Sequence, residues 1–131
     1  MTNTDTNTPQ NFRLNAEETQ QLLDTIGEAL LEKKAEQIKL LNVTGLTTLT
    51  DYFFVCHGNS DTQVKAIADN VTEKTRHILG EYEWRKEGFD TRRWIVLDYV
   101  NVVVHIFNQE ARSFYALEKM WNDAEVTDIT D

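Results

Sequence analysis

Two short runs with almost no polar interruption, Tyr52-Phe53-Phe54-Val55-Cys56 and Trp94-Ile95-Val96-Leu97, constrain this chain more than any other feature. Both are rich in aromatic and β-branched residues and read as strands. A strand with one wet face alternates apolar and polar residues, whereas an unbroken apolar run is buried on both faces. Such strands need cover above and below, which in a mixed pattern of elements means helices packed on a sheet. At 131 residues the chain forms one domain, and a chain of this size buries roughly two-thirds of its unfolded surface.

The flanking segments supply the cover. Asn15 and Glu18 form a capping-box pattern, and Leu22, Leu23, Ile26, Ala29 and Leu30 follow at helical spacing, predicting a helix over 16–35. Residues 38–43 are short and apolar and predict a strand. After the strand at 51–56 comes a His57-Gly58-Asn59 loop signal. Ser60 and Gln63 then open a second helix, with Val64, Ile67, Ala68, Val71, Thr75 and Ile78 on one stripe and Gly80 as its closing C′ glycine. Residues 81–93 are mostly charged and are expected to be a surface connection. The runs 94–99 and 102–107 are separated only by Val100 and Asn101, a hairpin signal. A third helix is expected from Ala111, with Phe114, Leu117 and Trp121 on its core stripe. The fold class expected is α/β, a mixed sheet of about four strands covered by helices in the order α-β-β-α-β-β-α. Residues 1–14 hold too few apolar groups to fold and are expected to be disordered, 15–123 to form the domain, and 124–131 an acidic, frayed C-terminal tail.

Charge removes several function classes. The chain has 22 Asp and Glu against 13 Lys and Arg, a net charge of −9. A binder that works by phosphate neutralisation needs clustered Lys and Arg, so nucleic acid is not the expected partner. The last third, 94–131, holds 7 acids and 2 bases, which is more than half of the net charge; it suits a basic partner. Cys56 is the single cysteine, which excludes an internal disulfide and fits a reducing cytoplasm. There is no apolar stretch of membrane-spanning length and no secretory signal pattern, so no membrane association is expected.

Catalytic constellations are missing. His57, His77 and His105 have no metal-ligand spacing, and no metal or cofactor is expected. Cys56 and His57 are neighbours in a strand and point to opposite faces, which argues against a nucleophile pair. There is no Walker loop and no dinucleotide fingerprint. The layout, with a Gly58-Asn59-Ser60 turn before a helix, resembles nucleotidyltransferases, which hold divalent metals on two strand carboxylates set two apart. Here Asp98 stands alone, with Val96 at the paired position, and an enzyme is not expected. Trp94, Tyr115 and Trp121 are instead candidate anchors for a protein partner, with Asp98, Glu110, Glu118, Asp123 and Glu125 as a polar rim.

Three segments together resemble the ribosomal silencing factor family, also called Iojap: Leu49 to Ser60, Gln63 to Asp69, and Trp94 to Trp121 with its Val102-Val103-Val104-His105-Ile106-Phe107 run and its Arg112-Ser113-Phe114-Tyr115-Ala116-Leu117-Glu118 stretch. The resemblance spans about residues 20–123. It implies a nucleotidyltransferase-like fold without enzymatic activity. It also implies a cytoplasmic translational repressor that binds the large ribosomal subunit through its L-fourteen protein, with little direct rRNA contact. Subunit joining would be blocked, especially when nutrients are short. The resemblance places partner-binding residues at Trp94, Asp98, Tyr99, Arg112, Tyr115, Leu117 and Glu118, with His105 and Trp121 nearby. Where the family's hairpin usually runs Asp-Tyr-Gly-Asp, this chain has Asp98-Tyr99-Val100-Asn101. The tip therefore either changes shape or places Asn101 in the left-handed region. Two alternatives remain open at this point: a degenerate nucleotide-binding protein, or a homodimeric scaffold in ribosome assembly.

Overall fold

The computed structural model describes residues 14–131, apart from the side chain of Phe114. The segment 1–14 expected to be disordered lies outside the described residues except for Leu14, which packs against the core. A six-stranded mixed sheet forms the centre, in the order β3-β4-β5-β2-β1-β6. Its strands are β1 (Glu36–Asn42), β2 (Tyr52–Gly58), β3 (Arg85–Glu87), β4 (Trp94–Asp98), β5 (Val102–Asn108) and β6 (Glu125–Asp128). The helices are α1 (Ala16–Glu32), α2 (Asp61–Lys74), α3 (Gln109–Tyr115) and α4 (Leu117–Met120).

The central pair, β2 and β5, is parallel, with Tyr52 opposite Val102 and Gly58 opposite Asn108. The pairs β1–β2, β4–β5, β3–β4 and β1–β6 are antiparallel. Alternation along these strands divides the side chains between two faces. Phe54, Cys56, Ile95, Leu97, Val102, Val104 and Ile106 join the stripes of α1 and α2 in the larger core cluster. Leu41, Val43, Val55 and Phe107 belong to a smaller cluster on the other face, with Ala111 and Leu117.

The helix ends obey the local rules. The Glu18 N–H donates to Asn15 Oδ1 at 2.8 Å, and the Asn15 N–H donates to Glu18 Oε1 at 3.0 Å, closing the capping box of α1. Past Lys74 the second helix widens into a π-turn over Thr75–Leu79. It ends where Gly80 takes φ +68°, the conformation glycine adopts at lowest cost.

Four expectations are corrected. The sheet has six strands rather than about four, because the charged connection at 81–93 contains β3 and the expected C-terminal tail contains β6. Neither has an apolar strand pattern: β3 is Arg85-Lys86-Glu87, and every residue of β3 and β6 is exposed. They exist by pairing with an open neighbour, β3 on β4 and β6 on β1. Ile129 then packs beside Gly27 of α1, tying the chain end to the core. Third, the last helix begins earlier, capped by Asn108 Oδ1 accepting from the Ala111 N–H, and breaks at Ala116, which lies in the left-handed region at φ +49°, ψ +47°. Fourth, the hairpin tip keeps its position but places Val100, not Asn101, at positive φ (+77°). The Asn101 N–H donates to the Tyr99 carbonyl at 3.0 Å, a turn centred on Val100, and Asp98 Oδ1 accepts from the Val100 N–H at 2.8 Å. With Val100 at φ +77° it is the rarer, strained form of the three-residue turn rather than the commoner one of negative φ. It frees Asn101 to donate from Nδ2 to Thr19 Oγ1 (2.8 Å) in the interior.

Gly88 is the glycine that the sheet edge cannot replace. It sits at φ +90°, and a Cβ there would lie 2.0 Å from the Trp94 carbonyl oxygen. Gly88→Ala is expected to destabilise the fold by about 2–3 kcal/mol, read as a lower urea midpoint at unchanged slope.

Candidate protein-binding face

The two faces of the sheet are covered unequally. α1 and α2 close the first. On the second, among the described residues, only the short α3–α4 segment crosses the strands, and Phe53, Trp94, Val96, Val103 and Trp121 are half-buried. Phe53, Trp94 and Trp121 belong to a continuous aromatic network with His105, Phe107 and Tyr115. The Trp94 ring lies 4.7 Å from Tyr115 and 5.0 Å from Phe107, centroid to centroid; His105 meets Phe53 edge-on at 5.0 Å; Phe53 meets Trp121 at 5.5 Å. Tyr115 is 45% exposed. A contiguous strip of this kind is a protein-interaction surface in form, since aromatic rings offer large contact area at little entropy cost.

One hydrogen bond organises the strip. Trp94 Nε1 donates to His105 Nδ1 at 3.0 Å. An imidazole that accepts at Nδ1 carries its proton at Nε2 and is neutral. Burial pushes the His105 pKa down to about 4, so the acceptor persists throughout the neutral range. His105 is therefore a structural partner of Trp94, as an apolar strand context suggests.

The seven residues singled out as partner-binding fall into three groups. Trp94 and Tyr115 lie on the strip. Asp98 and Glu118 lie at its margins and are already paired, Asp98 with Arg85 at 3.4 Å and Glu118 with Arg112 at 2.8 Å. Tyr99, Arg112 and Leu117 are buried, at 6, 7 and 8% exposure. Tyr99 packs in the larger core cluster on the opposite face, with its hydroxyl 2.9 Å from Thr75 Oγ1, because the alternation of β4 carries it to the side of Ile95 and Leu97. Leu117 belongs to the smaller cluster under α4. Arg112 points inward between β1, β2 and α4. Sequence reasoning missed three residues of the second face: Phe53, Val96 and Val103. For Val96 and Val103 the signal was present in strand alternation, two residues from Trp94 and His105; Phe53 joins them through its register with Val103.

The acidic last third is also split. Asp98 and α3–α4 adjoin the strip, but Glu125 and Asp128 lie on β6, at the opposite edge of the sheet from β3 and β4. Asp128 is paired there with Lys39.

The features a nucleotide site would use are occupied. At the start of α2, the Asn59 N–H donates to Gln63 Oε1 (2.7 Å) and the Gln63 N–H to Ser60 Oγ (3.1 Å), so donors that would cradle a phosphate are capped internally. Cys56 is fully buried and its thiol is pushed up to about 12, by burial, with Arg112 opposing, which leaves it no thiolate near neutral pH. Among the described residues, no three His, Cys, Asp or Glu side chains gather closely enough to hold a metal ion, and no helix is long and apolar enough to cross a membrane.

The buried neutral His105 sets an acid dependence. The unfolded chain takes up the proton below a pH of about 6.5, while the folded chain resists until about 4. The stability contributed by the neutral ring is therefore complete above about 6.5 and is lost as pH falls toward 4, up to about 3 kcal/mol at about 1.4 kcal/mol per pH unit. His105→Phe, which cannot titrate, is expected to lose less stability than the parent between neutral pH and about 4.5 in urea denaturation.

Comparison with known proteins identifies the family. A family model described as ribosomal silencing factor during starvation matches residues 16–131. The chain is 42% identical over 108 residues to the ribosomal silencing factor RsfS of Bacillus subtilis, covering 82% of this chain and 91% of that one. It is 41% identical over 110 residues to the RsfS of Halalkalibacterium halodurans, covering 84% and 93%. A crystal structure of a protein from Chromobacterium violaceum superposes with a TM-score of 0.76 at 32% identity, covering 79% of this chain and 85% of that one. With a matching family model over nearly the whole described chain and relatives aligned along almost their full length, this chain belongs to the ribosomal silencing factor family.

Proposed function

We propose that this protein is a translational silencer that docks on the large ribosomal subunit through its L-fourteen protein and blocks joining of the small subunit by steric occlusion. The observation that carries this reading is the Trp94–Tyr115 aromatic strip on the incompletely covered face of the sheet, in a chain of the silencing factor family. Occlusion needs no chemistry, only a folded body held on the joining surface. Trp94 and Tyr115 act as anchors, with Phe53, Val96 and Val103 as the apolar floor between them. Asp98 and Glu118 form part of an acidic margin that suits a basic ribosomal protein and disfavours rRNA phosphates. Leu117, Arg112 and Tyr99 act from inside: Leu117 supports α4, Arg112 fixes α3 against the sheet, and Tyr99 anchors the hairpin that carries Asp98. The protein works in the cytoplasm without a cofactor.

Purified subunits test the mechanism. Rising concentrations of the protein are expected to reduce 70S formation in proportion to large-subunit occupancy; saturating occupancy with normal joining would sink the occlusion step. Trp94→Ala is expected to weaken large-subunit binding by about 30- to 1,000-fold, or about 2–4 kcal/mol. Tyr115→Ala, which removes a ring just under half exposed, is expected to weaken it by about tenfold or more, with a smaller effect on the urea midpoint than on binding. Binding is also expected to weaken as salt is raised, by screening of the acidic margin.

A further inference from the structure

The α3–α4 segment carries Tyr115 on a seven-residue helix followed by a left-handed break, a geometry that propensity alone does not hold. Arg112 holds it. From 7% exposure its Nη1 donates to the Gln37 carbonyl at 2.8 Å, to the Glu36 carbonyl at 3.3 Å and to His57 Nδ1 at 3.0 Å. Its Nη2 donates to Glu118 Oε2 at 2.8 Å, across the Ala116 break. One guanidinium thus ties α3 to β1, to the end of β2 and to α4. The carbonyls of Glu36 and Gln37 meet it because β1 is irregular there: its register with β2 shifts between Glu36 and Lys39, and Gln37 sits at φ +46°. A non-glycine residue in that region is strained, and strain persists where the surroundings impose it.

His57 is the one titratable member of the clamp that must stay neutral. It is 4% exposed and can accept from Arg112 only with its proton on Nε2, which lies 3.9 Å from Glu36 Oε1. Burial, and then Arg112, lower its pKa, against the opposing pull of Glu36 on β1 and Glu118 on α4. Protonation at Nδ1 removes the acceptor and sets a second cation against the guanidinium.

We propose that His57 and Arg112 are positioning residues for partner binding: neutral His57 and the Glu36 and Gln37 carbonyls lock Arg112, and Arg112 sets the α3–α4 break that presents Tyr115 beside Trp94. This rests on the reading of the aromatic strip as the docking face. It assigns a role to His57, a buried residue behind α3 rather than on the strip, and makes binding sensitive to acid through an internal group rather than a surface one.

The test compares the full-length parent with His57→Asn and His57→Leu. Asparagine keeps an acceptor oxygen near the Nδ1 position and does not titrate; leucine has no acceptor. Binding to purified large subunits, and amide NMR spectra of the free protein, are followed from neutral pH to about 4.5. At neutral pH, His57→Asn is expected to bind within about twofold of the parent and His57→Leu about tenfold more weakly. As pH falls, the parent is expected to lose affinity while its Tyr115, Ala116 and Leu117 amides shift with the titration of His57; His57→Asn is expected to stay flat in both. An acid limb shared by the parent and His57→Asn, or absent from the parent, would overturn the clamp, as would parent-like binding by His57→Leu. If His57→Leu does not fold, the parent and His57→Asn profiles decide. Failure of every form to bind subunits at neutral pH would remove the docking reading, and the amide titrations of the free protein would still judge the clamp.

Discussion

The parallel pairing of β2 with β5 is the constraint on which the rest of the molecule depends. Parallel neighbours cannot be joined by a tight turn, so the chain must leave β2, cross over and return. α2 makes that crossing on the first face and completes the cover begun by α1. Parallel register also brings the two strands out at the same end, Gly58 beside Asn108. The chain leaving β5 therefore starts α3 next to the end of β2, and Arg112, about one turn into that helix, arrives at His57. The clamp follows from strand direction; an antiparallel β2–β5 pair would place these residues at opposite ends of the sheet.

The same topology explains why one face is left partly open. The crossing helices are long and share a stripe of large aliphatic side chains, so the first face is sealed. The second receives a seven-residue helix, a break and a four-residue helix, too little to cover β4 and β5. The rings fill part of the gap by packing on each other, and the Trp94–His105 hydrogen bond satisfies the indole N–H inside that packing. An apolar strip whose indole N–H is internally paired can be covered by a partner without stripping water from that donor.

Much of this was legible in the residues. The capping box of α1, the Ser60 cap of α2, the stripes of these two helices as far as Thr75, the closing Gly80 and the strand runs correspond to observed elements, because each is written in the local pattern of residues. The errors share one cause. β3 and β6 have no strand propensity of their own and form because β4 and β1 present open edges. Ala116 takes a conformation usually left to glycine, where the Arg112–Glu118 bond spans the turn. Val100 takes positive φ because Asp98 and Tyr99 bind the turn around it. In each case a contact that residue propensity does not encode, between strands for β3 and β6 and across the turn for Ala116 and Val100, overrides the preference of the residue type. For the candidate face, the anchors Trp94 and Tyr115 were visible as residue types at element ends, and the inward side of Tyr99 was there to be read in its alternation with Ile95 and Leu97, whereas the inward turn of Arg112 was not.

What the sequence by itself determined is the set of layers: two-sided burial in the central strands, helices to provide it, and an acidic chain with aromatic side chains in its last third. These are consequences of side-chain hydrophobicity and period, which act locally and survive any arrangement of the elements. The tertiary structure alone decided which acids adjoin Trp94 and which sit on the far edge with Lys39, and that Arg112 faces inward to His57. Those facts depend on strand order and direction, and strand order is chosen by the sum of pairings across the whole sheet rather than by any segment within it.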